Sequence, residues 1–440
     1  MIEALRNSFR LPDLRNKLLY TLLILLVYQF ATHVPVPGVN REALNSVFNS
    51  EGAGLVNVLN LLSGGALDNF SVLANGVYPY ITASIIITLL TPIIPQLEAI
   101  GKEPGGREKI NQYTYYLAIP MAALQSWGQI NIFRGLAGGT EIIQGFGTDA
   151  LVTISTIITM TAGTMFAVWL GERITEQGIG QGLSIIIFAG IVAKTPYNLG
   201  RLILNSPNAL YNVAVFVILT AVTVLVIVVV QEGTRRIPVQ YGKRVRGRKV
   251  YGGGSTHVPL KVNTAGMIPL IFAQSIITFP AIIASLFPAG SVGDWIRDTF
   301  GSQSGFTYWF IYFLFVVGFT YFYTSVMIQN QNLAENLQRQ GGFIPGIRPG
   351  KRTQDYINSV VNRITLVGAV FLGLVAVSPG LVQALNGLLF PGETAAGQAA
   401  NPALVISSSG LIILVGVIID TMRQLEAQLV MRNYDSFIRG

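Results

Sequence analysis

The sequence predicts an all-α membrane protein with ten transmembrane helices. Apolar residues make up 51% of its 440 residues and charged residues only 11%, whereas a soluble domain usually carries about 25% charged residues. Ten stretches also reach or approach the roughly 20 mostly apolar residues that a membrane-spanning helix needs. These predicted spans are 18–34, 76–95, 114–134, 151–170, 183–204, 210–230, 263–288, 306–328, 358–378 and 403–422.

The first apolar run, Leu18 to Ala31, follows four basic residues and therefore has the charge pattern of a signal peptide. No small-residue cleavage site follows it, because the chain continues with His33-Val-Pro-Val-Pro-Gly38. We therefore expect this run to be retained as the first span.

The distribution of Lys and Arg predicts how the chain is oriented. An even number of spans puts both termini on one side, and 24 of the 29 Lys and Arg residues then fall on that side, which we call the basic side. Cytoplasmic loops carry such an excess, so we expect both termini in the cytoplasm. The other side holds Arg41, Arg134, Lys194, Arg201 and Arg297.

Residues that carry chemistry are scarce. The absence of cysteine excludes disulfides and thiolate chemistry, and two histidines are a poor supply for metal sites or acid–base catalysis. We expect the cores of the ten spans to lack Asp, Glu, Lys, Arg and His, with the apolar part of the fifth span stopping near Lys194. Ion-coupled transporters and intramembrane hydrolases need such groups, so we predict no catalytic site, metal or cofactor.

Polar side chains are concentrated in the second and seventh spans. Most polar residues in membrane helices only form hydrogen bonds between helices, but this concentration indicates that the two spans line a wetter region. The residues are Thr82, Ser84 and Thr88 in the second span, and Asn263, Thr264, Gln274 and Ser275 in the seventh.

The segment before the second span permits two interpretations. Residues 55–62 have the apolar spacing of a helix, Ser63-Gly-Gly65 interrupts it, and Asp68 follows. The segment is too short and too polar to cross a membrane. It is either an amphipathic helix on the membrane surface, which the pattern alone favours, or a short helix folded back into a cavity of the bundle.

Two loops on the basic side are distinctive. Residues 231–262 form a long basic loop with Glu232 as its one acid, and residues 329–357 form a second loop with a Gly- and Pro-rich tip that predicts a defined turn. Another glycine-rich stretch, Gly178-Ile-Gly-Gln-Gly182, lacks the preceding strand and the lysine of a phosphate-binding loop. We therefore exclude a nucleotide site there.

Eleven short motifs, in the same order and at the same spans, resemble those of the SecY family, the central subunits of bacterial protein-conducting channels. The resemblance covers essentially the whole chain. The motifs are Pro35–Gly38, Leu61–Leu67, Pro79–Ile86, Ile110–Thr114, Trp169–Glu176, Gly178–Gly180, Ser184–Val192, Arg235–Tyr241, Ser255–Asn263, Ala334–Leu337 and Phe343–Gly350.

The resemblance implies a fold of two five-helix halves, residues 1–204 and 205–440, related by inverted pseudo-symmetry around a central pore. It also implies that the segment of about 55–72 is a plug that blocks the external funnel, which reverses the preference for a surface helix. The plug residues expected on this basis are Leu59, Leu62, Ser63, Gly64, Gly65 and Leu67.

The resemblance further implies a hydrophobic ring that narrows the pore and a lateral gate between the second and seventh spans. Motif by motif, the ring falls on Val77, Ile81, Leu183, Ile187, Ile271 and Ile413. For the gate we predict roles for Thr82, Thr88, Asn263 and Gln274.

The function implied by the resemblance is passage of unfolded secretory chains across the bacterial plasma membrane and lateral release of apolar spans. The implied partners are the small subunits SecE and SecG, the SecA motor, the ribosome, signal sequences, nascent chains and lipids, but not DNA. The expected docking residues are Arg235, Arg236, Arg248, Arg348, Lys351 and Arg352. The alternative is a secondary transporter of small solutes, with which ten spans and broken helices are also compatible.

Overall fold

The computed structural model describes residues 11–48, 60, 63–137, 141–205, 209–241, 244–246, 249–251, 254–284, 293, 295–296, 299–300, 305–331, 333–389 and 408–438. These residues fold mainly into α-helices. In chain order the helices up to the first basic loop are α1 (Pro12–Ala31), α2 (Arg41–Phe48), α3 (Tyr78–Leu90), α4 (Pro95–Lys102), α5 (Gly106–Leu136), α6 (Ala150–Gln177), α7 (Gly182–Asn205) and α8 (Ala209–Glu232).

The rest of the chain adds five helices and five short strands to the described part. In chain order they are β1 (Thr234–Tyr241), β2 (Arg244–Arg246), β3 (Lys249–Tyr251), β4 (Ser255–Lys261), α9 (Ile268–Ala284), α10 (Phe306–Gln331), α11 (Leu333–Arg339), β5 (Gly342–Phe343), α12 (Lys351–Leu389) and α13 (Ser408–Ile438).

Every predicted span overlaps one of these helices, namely α1, α3, α5, α6, α7, α8, α9, α10, α12 and α13. Among the described residues, three helices are long and apolar enough to cross a bilayer, and the pair α3 and α4, bent by 103°, would be a fourth if it forms one span. The total of ten spans therefore stays a prediction from the sequence.

The position of each helix in the bundle follows from how its surface is covered. Helix α3 begins with a proline in its first turn, where the missing N–H costs nothing, and buries more than half of its side chains. Helix α8, in contrast, exposes Val222, Leu225 and Val229. An apolar helix that is covered on all sides lies at the centre of a bundle, whereas exposed aliphatic side chains suit a lipid-facing surface.

The strands were not expected from the sequence. Strands β4, β1 and β5 form an antiparallel sheet in that order, and β2 pairs with β3. Ile237 and Val239 of β1 are buried while their neighbours are exposed, which is the two-residue period of a strand with one covered face. Only two buried positions carry the alternation, and Pro238 stands between them, so the pattern is too short to indicate a strand by itself.

Close contact between α6 and the segment before α3 depends on a glycine. A Cβ atom built at Gly163 would lie 2.0 Å from the carbonyl oxygen of Val72. No residue with a side chain fits there unless the two backbones separate. This glycine therefore lets the segment reach the interior of the bundle.

We expect the substitution Gly163→Ala to destabilise the fold by about 1–3 kcal/mol, the usual cost of overpacking. The measurement is the Tm of the detergent-solubilised protein. Gly318→Ala is the matched control, because nothing lies within 4 Å of its Cβ position and alanine favours a helix more than glycine does. Equal Tm values for the two variants would contradict the close packing of α6.

Candidate functional site

The six aliphatic side chains predicted to form a ring lie together. Helices α7, α9 and α13 supply four of them, and α3 with the residue before it supplies the other two. Val77, Ile81, Ile187, Ile271 and Ile413 are at most 9% exposed and belong to one hydrophobic cluster, against which the partly buried Leu183 packs. We call this group the aliphatic ring; its role as a constriction stays a prediction.

Helix α7 fixes the order of the features around the aliphatic ring. Near its start, Ser184 lines a polar cavity. One turn later Ile187 joins the aliphatic ring, and two turns after that Lys194 meets Asp68. With a rise of 1.5 Å per residue, Ser184 and Lys194 are about 15 Å apart along the axis. The aliphatic ring therefore lies between a polar cavity and a segment that comes from before α3.

The polar cavity has a volume of about 260 Å³. Arg423, which lines the cavity, donates a hydrogen bond to Glu232 at 2.8 Å. Burial lowers the pKa of the Lys261 ammonium and Arg423 lowers it further, whereas Asp420 and Glu232 raise it. Side chains of both charges therefore line this cavity. Its lining consists of Gln181, Ser184, Lys261, Met267, Val417, Asp420, Thr421, Arg423 and Gln424.

Residues 63–76, which we call the inserted segment, form successive turns between the helical Asn60 and α3. The Gly65 N–H donates to the Asn60 carbonyl at 2.9 Å, and Gly64 has a left-handed φ of +69°. This is the bond pattern of a Schellman cap, which ends a helix. Ala66 and Leu67 are fully buried, so the inserted segment lies inside the bundle and not on its surface.

The residues predicted for the plug fall partly in this segment. The structure describes Ser63, Gly64, Gly65 and Leu67, whereas Leu59 and Leu62 lie outside the described residues. The Ser63 carbonyl accepts a hydrogen bond from Tyr28 of α1 at 3.0 Å. Gly64 touches α7 so closely that a Cβ at Gly190 would lie 2.1 Å from its Cα. Leu67 belongs to a second hydrophobic cluster, beside Phe70.

Lys194 of α7 has a partner from the inserted segment. Helix α7 continues past it to Asn205, so Lys194 lies within the helix of the fifth predicted span and not beyond its end. Its Nζ is 2.7 Å from Oδ2 of Asp68, and its side chain is only 17% exposed. The expected absence of ionisable residues from the span cores stays a prediction. The inserted segment supplies the opposite charge, which a search within the span could not find.

The four polar residues predicted for the gate do not join α3 to α9. Thr82 accepts a hydrogen bond from Gln125 of α5, and Gln274 donates one to Tyr308 of α10, both at 3.4 Å. The remaining two, Thr88 and Asn263, donate to backbone carbonyls of their own segments. These four hydrogen bonds therefore do not cross the boundary between the two helices. A gate role for these residues stays a prediction.

Tyr78 makes a hydrogen bond between two helices that the sequence did not predict. Its hydroxyl donates to the Ser275 carbonyl at 2.7 Å, which joins the first turn of α3 to the middle of α9. Both residues are buried. A buried tyrosine hydroxyl usually finds a hydrogen-bond partner. A tyrosine at the start of an apolar span was therefore the sequence feature that could have predicted this contact.

Comparison with known proteins identifies the family. The SecY family model matches residues 71–422. The chain belongs to the SecY family. Two relatives, both described as protein translocase subunit SecY, cover all of this chain: that of Halalkalibacterium halodurans is 42% identical over 456 residues, and that of Thermotoga maritima is 40% identical over 447. The alignments include 100% and 98% of those proteins. They confirm the resemblance inferred from the motifs.

Solved structures of SecY and Sec61 channels have a similar fold. One is a SecY whose plug domain is described as stabilising the closed state of the translocation channel, with a TM-score of 0.61. Another is Sec61 in the canine ribosome–channel complex, with a TM-score of 0.60. Each is 17% identical and covers 94% of this chain and 92% of its own. The chain is therefore a multi-pass membrane protein with the SecY channel fold.

In this SecY-family chain the two basic loops form one unit, which we call the platform. Strand β1 of the first loop pairs with β5 of the second through Gln240 and Phe343. A hydrophobic cluster that includes Ile237, Leu337 and Ile357 holds the sheet against α11 and α12. Two loops far apart in sequence thus present their side chains from one rigid base.

Five of the six predicted docking residues lie on the platform with exposed side chains, and Arg248 is outside the described residues. The exposed residues are Arg235, Arg236, Arg348, Lys351 and Arg352. On β1 the exposed Arg236 directly precedes the buried Ile237, so its side chain points away from the cluster. Near Arg348, Pro345 and Gly346 form a type II turn closed by the 3.0 Å bond from the Ile347 N–H to the Ile344 carbonyl.

We expect Ile237→Ala to loosen the platform, because truncating a buried isoleucine costs about 2–5 kcal/mol. Limited trypsin digestion of the protein in membranes should cut the first basic loop faster in this variant than in the wild type. The exposed Val217→Ala on α8 is the control for loss of an aliphatic side chain. Equal cleavage rates in the wild type and both variants would show that Ile237 does not hold the sheet.

Proposed function

We propose that this chain is the channel subunit of a bacterial protein translocase, which passes unfolded secretory proteins across the plasma membrane and releases apolar segments sideways into lipid. The observation that carries the proposal is the position of the aliphatic ring between the polar cavity and the inserted segment. The polar cavity serves as the funnel on one side of the aliphatic ring. The external funnel lies on the other side, and the inserted segment serves as its plug.

The aliphatic ring suits a passage that must stay closed to ions. Branched side chains such as those of Ile81, Ile187 and Ile271 form a constriction that resists wetting. They make no directional bonds, so they can part around a passing peptide of any sequence and close again behind it. A polar ring would bind the peptide or admit water.

The boundary between α3 and α9 is the proposed route into lipid. The hydrogen bond from Tyr78 to Ser275 crosses this boundary, which supports a role for it in holding the two helices together. An apolar signal sequence that enters this boundary gains tenths of a kcal/mol for each apolar side chain moved into lipid, and this gain favours the open state.

The platform is the proposed docking surface for the SecA motor and the ribosome, both in the cytoplasm. Arginine forms planar, bidentate contacts with phosphate and carboxylate groups, and Arg236 and Arg348 are exposed for such contacts. These partners supply the energy of transport. The orientation with both termini in the cytoplasm follows from the excess of basic residues on that side. The small subunits SecE and SecG are the proposed membrane partners.

The first experiment is photo-crosslinking of a stalled secretory chain. A photoreactive amino acid replaces Ile81 or Ile187 in the full chain, in membranes that contain its partner subunits. We expect crosslinks from both positions to a chain stalled in transit by SecA or a ribosome. The control is the exposed Leu225 of α8, which should give none. Absence of crosslinks at the ring positions in an inserted, folded protein would overturn the channel function.

A second experiment tests the gate. Tyr78→Phe removes one buried hydrogen bond, which contributes about 0.5–1.5 kcal/mol. If that bond favours the closed boundary, the fraction of time that purified channels conduct ions in planar bilayers should rise about two- to tenfold.

The control for the gate experiment is Tyr321→Phe, because the Tyr321 hydroxyl is exposed and its contact with the Asn362 carbonyl is 3.5 Å long. This control should conduct as the wild type does. A Tyr78→Phe channel that also conducts no more than the wild type would show that the bond does not hold the gate.

A further inference from the structure

The glycine-rich stretch 178–182 connects α6 to α7 on the basic side. The chain reverses so tightly here that a Cβ atom at Gly182 would lie 1.7 Å from the Gly171 carbonyl oxygen. Gly180 has a left-handed φ of +86°, a conformation that glycine adopts without strain. The stretch therefore forms a compact turn, and its one aliphatic side chain is that of Ile179.

Ile179 fits into a hydrophobic cluster that we call the socket. It is 2% exposed and packs with Leu14 of α1 and with Met422 and Leu425 of α13. The socket therefore joins α1 and the turn, which belong to the predicted half 1–204, to α13 of the predicted half 205–440. Three partly buried leucines pack against it, namely Leu11, Leu18 and Leu429.

Two threonines contact the turn from opposite sides. Oγ1 of Thr21 on α1 accepts a hydrogen bond from the buried Ile179 N–H at 3.2 Å. On the other side, Oγ1 of Thr421 on α13 lies 3.1 Å from the position of a Cβ at Gly180. The hydrogen bond fixes the turn to its own half, whereas these contacts with α13 are van der Waals contacts.

We propose that the socket is a pivot, at which the two halves stay joined while they part at the boundary between α3 and α9. The inference rests on the proposed channel function. The contacts of Ile179 with Met422 and Leu425 are apolar, and burial of apolar surface is favourable without being directional. The halves can therefore rotate slightly at the socket and keep this contact. The hydrogen bond from Tyr78 to Ser275 is directional and breaks when its two helices separate.

The socket lies outside the proposed path of the passing chain. Met422 follows Ile413 by nine residues on α13, which is about 14 Å along the helix axis. Of the described residues that line the polar cavity, none belongs to the socket. A permanent link across the socket should therefore not obstruct the passage.

The test exploits the absence of cysteine from the chain, because two introduced cysteines are then its only thiols. Leu14→Cys with Met422→Cys places a pair in the socket. Tyr78→Cys with Ile282→Cys places a pair between α3 and α9, where these two residues share a hydrophobic cluster. The same short bis-maleimide joins either pair, in the full chain assembled with partner subunits that lack cysteine.

The first measurement is the rate of crosslinking in idle channels and in channels that hold a stalled secretory chain. A crosslink forms only while the two thiols are close, so its rate follows the population of the closed arrangement. We expect the pair between α3 and α9 to react about tenfold more slowly in occupied channels. The socket pair should react equally fast in both.

The second measurement is export of a reporter protein after crosslinking is complete. Channels linked at the socket should export as fast as the same variant before crosslinking, whereas channels linked between α3 and α9 should stop exporting. If the unlinked socket variant does not fold, Leu18→Cys with Leu429→Cys replaces it, because these two side chains are only partly buried.

Two outcomes would overturn the pivot. The first is slower crosslinking of the socket pair in occupied channels, and the second is loss of export once the socket is linked. Neither result affects the channel function, which fails only if a stalled chain does not crosslink to a photoreactive residue at Ile81 or Ile187.

Discussion

The convergence of aliphatic side chains from four helices is the constraint on which the rest of this structure depends. Burial of apolar surface is favourable but not directional, so packing within the aliphatic ring does not by itself fix its helices in one arrangement. The directional contacts lie around it, at Tyr78 on one boundary and at Lys194 on the inserted segment.

Glycine residues allow the inserted segment to pack closely against the helices around the aliphatic ring. The inserted segment reaches the centre of the bundle because its backbone meets α7 at Gly64 and Gly190 and meets α6 at Gly163. Side chains at these positions would hold the backbones apart.

The platform is held together differently from the helical bundle. Its strands come from two loops that are separated by α9 and α10, and they share one sheet and one hydrophobic cluster. Ordinary soluble-protein packing thus gives a rigid base on the basic side, with arginines on the uncovered face of β1 and at a proline-containing turn. The platform and the aliphatic ring have separate hydrophobic cores.

The sequence by itself determined the membrane class and the family, and each of its ten apolar stretches overlaps a helix of the structure. Apolar length, charge distribution and motif order are local properties, so each can be recognised without a partner. The motifs also placed six aliphatic residues that the structure brings together. Gate residues were harder to find, because span membership does not define which face of a helix a side chain occupies.

Only the tertiary structure decided which polar groups meet. Asp68 finds Lys194, Tyr78 finds Ser275, and β1 finds β5 across long stretches of chain. Lys194 looked like the end of an apolar run because its countercharge comes from a different part of the sequence. Such pairs depend on how the helices pack, and no local pattern of residues specifies that packing.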